Sequence, residues 1–136
     1  MKLNPYLHFD GNCEEALNFY SKLLGAKVLL MMRYSDAPEC KDSPVEIRNK
    51  IIHGRIALGE DIIMASDAPP GRYAKPSGFS INVGVKTPEE AEKIFAALME
   101  NGSIHMPIEE TFWAHRFGMG ADRFGIPWMV NCEKQG

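Results

Sequence analysis

This chain of 136 residues is most easily bounded by what it lacks. No apolar run approaches the roughly 18 residues that a membrane span needs, so no membrane partner is expected. Its three cysteines, Cys13, Cys40 and Cys132, are odd in number and form no CxxC pair. That spacing fits reduced thiols better than a disulfide framework or a zinc knuckle. Lys and Arg number 15 against 18 Asp and Glu, scattered along the chain, with a net charge of −3. No basic stripe results, and nucleic acid is not an expected partner. The stretch MKLNPYLHFDG lacks the apolar core of about 7–15 residues of a secretory signal. Cytoplasmic location is therefore the expectation. What is present is ordinary globular chain, 45% hydrophobic and 24% charged. Its length is about that of one domain, long enough to bury a core.

Comparison of the chain with itself is informative. NCEEALNFYSKLLGAK begins with Asn12 as N-cap and Glu15 three residues on, a capping box. Ala16, Tyr20, Leu23 and Leu24 then share one helical face, and Gly25 ends the pattern. TPEEAEKIFAALMENG repeats the design, with Thr87 as N-cap, Pro88 in the first turn and Glu90 completing the box. Its apolar stripe is Ala91, Ile94, Phe95 and Leu98. A strand-like segment precedes each helix (PYLHF and FSINVGV) and an extended one follows (KVLLMMRY and SIHMPI). GEDIIMASD (59–67) also aligns residue by residue with GIPWMVNCE (125–133). Each unit reads strand, helix, strand, strand, strand, which implies an internal duplication. The expected organisation is one α+β domain, 1–136, of two βαβββ modules at about 4–67 and 79–133, joined by the turn-rich linker 68–78. A helix covers one face of each small sheet, and two bare faces turned together make a cleft suited to a ligand.

PYLHFDGNCEEALNFYSKLLGAK, HGRIALGEDIIMASD and ETFWAHRFGMGADRFGIPWMVNC resemble the PhnB-like proteins. These belong to the glyoxalase / bleomycin-resistance / extradiol-dioxygenase group, the vicinal oxygen chelate superfamily, and the resemblance spans nearly the whole chain. It implies a glyoxalase/bleomycin-resistance-like fold with an open barrel-like cleft, and a homodimer. Some members are described as ubiquinone-pathway methyltransferases. Here no strand opens into a glycine-rich turn and helix able to hold a nucleotide-type methyl donor.

Metal-dependent relatives hold a divalent ion with His, Gln or Glu from strands of both modules. At the matching positions this chain offers His8, because Leu7 and Phe9 alternate toward the helix. The other positions fall at Ser80, Asn82 or Gly84, near Met129, and near Ile63 or Met64. His53, on a strand face with Arg55 and Ala57, is a second weak metal candidate. Two imidazoles without a carboxylate make a poor catalytic site, so no cofactor is expected, with a divalent metal as the alternative.

In FWAHRF, Trp113 and Phe117 suit a core, while His115 and Arg116 beside them suit a pocket. Arg55 and Arg116 can fork a carboxylate or phosphonate. The expected ligand-binding set is His8, His53, Arg55, Trp113, His115 and Arg116, for a small anionic molecule. Trp128 and Met129 are expected to pack, and His105 to be a surface or sheet-edge residue. Residues 33–50 form a polar insertion of the length seen in lids, dimer arms and disordered segments. The leading reading is a PhnB-like small-molecule-binding protein, with catalysis left open. The alternatives are a metal-dependent isomerase, lyase or dioxygenase, and a drug or toxin sequestration protein.

Overall fold

The structure, a computed structural model, describes residues 1–40 and 42–134. Of the insertion 33–50, Lys41 therefore lies outside the described residues. The first unit contains β1 (Tyr6–Phe9), α1 (Cys13–Leu24), β2 (Lys27–Arg33), β3 (Ile51–Leu58) and β4 (Asp61–Asp67). The second contains β5 (Ile81–Gly84), α2 (Pro88–Met99), β6 (Ser103–Glu109), β7 (Ala114–Ala121) and β8 (Pro127–Glu133). Corresponding elements have the same lengths: 4, 12, 7, 8 and 7 residues. The sheet orders match too, β1-β4-β3-β2 and β5-β8-β7-β6. Each sheet is mixed, with its first strand parallel to its last and the other pairs antiparallel. Neither sheet closes on itself. The architecture is α+β, and the chain divides into compact units Met1–Ala74 and Lys75–Gly136.

In the first unit, Leu7 and Phe9 are buried while Tyr6 and His8 are exposed, the alternation of a strand covered on one side. Leu7 pairs with Ala65, and Ala65 with Gly54. A Cβ on Gly54 would lie 2.7 Å from Leu17 Cδ1, so glycine here lets α1 approach β3 closely. This contact selects the buried face of α1: Cys13, Ala16, Leu17 and Tyr20. Leu17 therefore replaces Leu23 and Leu24, which are only half-buried at the last turn. Gly25 ends the helix in the left-handed conformation, φ 75°, as its position suggests.

Asn12 is the N-cap of α1, but its side chain makes no capping bond. The cap comes instead from Asp67 at the end of β4. Asp67 is only 2% exposed. Its carboxylate accepts from Cys13 N–H at 2.9 Å and Ile51 N–H at 2.8 Å, and its carbonyl accepts from the Tyr34 hydroxyl at 2.8 Å. A carboxylate brought in by tertiary structure thus displaces the local capping box. Around it the insertion is anchored to α1: Arg33 forks the Glu14 carboxylate at 3.1 and 2.9 Å, and Lys50 Nζ donates to the Gly11 carbonyl at 2.9 Å. Tyr34, Ala37 and Ile47 are buried beneath it. Its described residues are a packed excursion rather than a loose polar loop.

The second unit follows the sequence more literally. Thr87 Oγ1 accepts from Glu90 N–H at 3.1 Å, and α2 buries Ala91, Ile94, Phe95, Leu98 and Met99. The glycines of β7 mark a packed strand. A Cβ on Gly118 would stand 2.8 Å from the Phe95 ring, so its absence seats α2 on the sheet. Val130 pairs with Gly118 as Ala65 pairs with Gly54. Val130 is thus the counterpart of Ala65, and the residue-by-residue alignment of the last strands is displaced by one. With a side-chain period of two, that slip exchanges the faces. Trp128 is 1% exposed and donates its Nε1–H to Asp122 Oδ2 at 2.8 Å, in a packing role as expected.

Candidate functional site

Each sheet has one face against its helix and one free of it, and the expected site residues divide between these faces. In the first unit, His8 lies beside Leu7 and Phe9 on the opposite face from α1. On β3, His53 and Arg55 alternate with Gly54 and Ile56, which point to the helix. His8, His53 and Arg55 therefore share the helix-free face.

Tyr6 organises them. Its ring centroid lies 5.2 Å from that of His8 and 5.7 Å from that of His53, and its hydroxyl is 3.2 Å from His53 Nδ1. Tyr6 opposes Met64, which also opposes Arg55, and an Arg55 Nη2 sits 3.7 Å from Met64 Sδ. The result is a phenol between two imidazoles, with a guanidinium across β4. Sequence reasoning passed over Tyr6, although its place two residues before His8 puts both on one face.

In the second unit the FWAHRF segment splits. Phe117 is buried, 6% exposed, and opposes Asn131 on the helix-free side. Trp113 packs edge-on against Phe117 at 5.3 Å and against Phe112 at 4.8 Å, yet remains 40% exposed. It lies outside the sheet, in the bend that precedes β7. His115 is exposed where the β7–β8 register shifts between Ala114 and Arg116. Arg116 points toward α2: its Nε lies 3.1 Å from Glu92 Oε1 and its Nη1 donates to the His115 carbonyl. His115 and Arg116 are adjacent in sequence but differently engaged.

A second feature of this unit lies on the helix-free face of its sheet. Residues 75–80, from the end of the linker into the second module, and parts of β6, β7 and β8 line a groove of about 900 Å³. His105 is among the lining residues, along with Ser80 and Met129.

Three chemistries can be tested against these residues. Among the described residues no group of three or more His, Cys, Asp or Glu could hold a metal ion. His8 and His53 bracket Tyr6, and Met129 opposes Met119, a thioether in place of a carboxylate or imidazole. This donor set does not fit a catalytic divalent metal, which takes three protein ligands in the usual case. Nor do the strand-to-helix junctions suit a nucleotide-type methyl donor. The first has one glycine, Gly11, and the leading amide of α1 is taken by Asp67; the second is capped by Thr87. Thiol chemistry at Cys13 is also disfavoured. Burial, then the nearby Asp67 and Glu14 charges, push its pKa far above the ordinary thiol value, so the thiolate is suppressed.

The sequence profile of the family described as 3-demethylubiquinone-9 3-methyltransferase matches residues 1–131. Protein YjdN of Escherichia coli is 38% identical, over 99% of this chain and 97% of its own length. The crystal structure of protein PA1353 from Pseudomonas aeruginosa shares 43% identity and a TM-score of 0.90, with 99% of each chain covered. The PhnB protein from Bacillus cereus shares 25% identity and a TM-score of 0.82, over 97% of this chain and 99% of its own. At 13% identity, a glyoxylase/bleomycin resistance protein/dioxygenase domain from Frankia has the same fold, with a TM-score of 0.68 over 98% of each chain. Matched along nearly its whole length, the chain belongs to the PhnB-like family that carries the 3-demethylubiquinone-9 3-methyltransferase description, within the glyoxalase/bleomycin-resistance fold.

Proposed function

We propose that this chain is a small-molecule-binding protein that receives a small anion on the helix-free face of its first sheet, and that it works as a homodimer of one two-module domain. The supporting observation is the grouping of His8, His53 and Arg55 around Tyr6. Ring surface for apolar contact beside a few converging donors is the usual content of such a site. Arg55 supplies the charge and the fork for a carboxylate, phosphonate or phosphate. The second unit carries the remaining candidate contacts, Trp113, His115 and Arg116, the last of them held by Glu92 on the α2 side of its sheet.

A thermal-shift screen of small carboxylates, phosphonates and phosphates tests this reading. A ligand at about 100 times its Kd adds about 2.7 kcal/mol of stability. For a domain of this size that raises Tm by about 5–10 °C. The shift should shrink in Arg55→Ala and in Tyr6→Phe, while the ligand-free Tm holds, because both side chains are exposed. A shift that survives both substitutions, or a screen with no hit, overturns the anion site. Light scattering that returns the mass of a single chain at micromolar concentration overturns the dimer.

A further inference from the structure

We propose that Asn101–Gly102 is a modification site gated by the fold, where the backbone closes on the asparagine side chain, expels ammonia and hydrolyses to aspartate or isoaspartate. Of the asparagines in the chain, only Asn101 is followed by glycine. Glycine has no side chain to shield its backbone nitrogen from the preceding amide carbon. The turn between α2 and β6 calls for both residues. Glu100 has φ −59° and ψ 121°, Asn101 has φ 60°, and Gly102 N–H donates to the Met99 carbonyl at 2.8 Å. This is a type II turn, whose third position takes glycine or asparagine. The first helix ends on Gly25 at φ 75°, so the second unit gives asparagine the left-handed role that the first gives to glycine. Gly102 follows for a steric reason. A Cβ there would collide with the Ala121 carbonyl oxygen and lie 3.1 Å from Asp122 Cα.

The reaction consumes only water. The Gly102 nitrogen attacks Asn101 Cγ, and the new N–C bond closes a succinimide ring. The Gly102 amide proton and the side-chain NH2 leave together as ammonia. Water then opens the ring at either carbonyl. One opening gives aspartate on the original backbone, and the other gives isoaspartate with an extra methylene in the main chain. In the folded chain the nucleophile is occupied, because its N–H donates to Met99. Nor is Gly102 free to swing toward Cγ, since it packs against Ala121 and Asp122. Both residues of the dipeptide are exposed, so water is at hand. Opening of the turn is therefore the step that releases the chemistry. The two products then part. Aspartate accepts the left-handed region as asparagine does. The extra methylene of isoaspartate breaks the turn and displaces Ser103 from its register with Ala121.

The test incubates the intact protein in mildly alkaline buffer, folded and in denaturing urea, and follows the tryptic peptide Ile94–Arg116 by mass spectrometry. Asn101 is the only side-chain amide in that peptide, so an amide-to-acid mass gain reports this site alone. Isoaspartate is counted by enzymatic carboxyl methylation. The unfolded chain should convert at least about tenfold faster than the folded one, a ratio set by the opening equilibrium of the turn. Sub-denaturing urea should accelerate the folded chain. So should Leu98→Ala, which loosens α2 at a position 0% exposed. Asn101→Gly should fold and show no mass gain. After ageing in urea and dilution, isoaspartate should be lost from the refolded fraction, while the aspartate product and Asn101→Asp refold. The proposal fails if the unfolded chain does not convert, or converts no faster than the folded one. It fails if neither urea nor Leu98→Ala accelerates the folded chain. It fails equally if isoaspartate survives undiminished in the refolded fraction.

Discussion

Replacing Asp67 with Ala should be among the most damaging single changes in the first unit, although Asp67 lies outside the proposed ligand contacts. Its two carboxylate oxygens accept from the Cys13 and Ile51 amides, both in buried surroundings. A buried amide left without a partner costs about 1–3 kcal/mol. Two such amides give about 2–6 kcal/mol, and water entering the vacated space places the expected loss near 3–4 kcal/mol. For a chain of this length that lowers Tm by about 10–15 °C. Asp67→Asn keeps one carbonyl oxygen and should lose about half as much. Asn12→Ala is the matched control. An N-cap asparagine commonly contributes about 1 kcal/mol, but this side chain makes no capping bond and its Oδ1 is buried without a partner. Its removal should therefore cost under about 0.5 kcal/mol. Urea unfolding followed by far-ultraviolet circular dichroism measures all three. A loss below about 1 kcal/mol for Asp67→Ala, with a larger loss for Asn12→Ala, would refute the tertiary cap and restore the local box.

Other outcomes follow from the packing and the donor set. Leu17→Ala and Phe95→Ala, at positions 0% and 3% exposed, should each cost about 2–5 kcal/mol in the same assay, and Leu23→Ala clearly less. Gly118→Ala should destabilise by about 1–3 kcal/mol, because its methyl meets the Phe95 ring; an unchanged midpoint would remove the close-packing argument. Arg116→Ala breaks a partly exposed pair with Glu92 and should lower stability by less than about 1 kcal/mol, which denaturant titration can resolve. Elemental analysis of protein purified without chelator or histidine tag should return well under one zinc, nickel, manganese or iron per chain. A stoichiometric metal lost on His8→Ala or His53→Ala would instead make these imidazoles ligands and overturn the reading of the donor set.

Much of the fold was legible because periodicity carries it. Alternation placed His8 opposite Leu7 and Phe9, and grouped His53 with Arg55, since a strand allows only two faces. The second helix was readable because its cap and stripe are local. What escaped depends on partners far along the chain. The cap of α1 comes from 54 residues downstream of Cys13, and no local pattern announces it. The displacement of the last strands by one residue needed the glycines of β3 and β7 as reference points. For the candidate site, composition drew attention to FWAHRF, but it could not tell that Arg116 would turn to Glu92. Tyr6 was passed over because it reads as plain strand. His105 stands exposed on the edge strand β6, as expected, although the bulge that holds it is one alternation cannot foresee.

The parallel pairing of first and last strands carries a consequence for how each unit assembles. Tyr6 must wait for Met64, 58 residues later, and Ile81 for Trp128, 47 residues later. β1 and β5 are made first in their units yet dock last, so folding should be limited by this non-local closure rather than by the helices. During synthesis, β1 stays unpaired until β4 has emerged, with Leu7 and Phe9 exposed to misassociation. The longer span of the first unit adds little to the equilibrium cost. Chain-closure entropy grows only with the logarithm of length, so 58 residues against 47 differ by about 0.2 kcal/mol. An excursion between β2 and β3 can thus be accepted on one copy of a duplicated fold with almost no thermodynamic trace, and its effect should be looked for in rates.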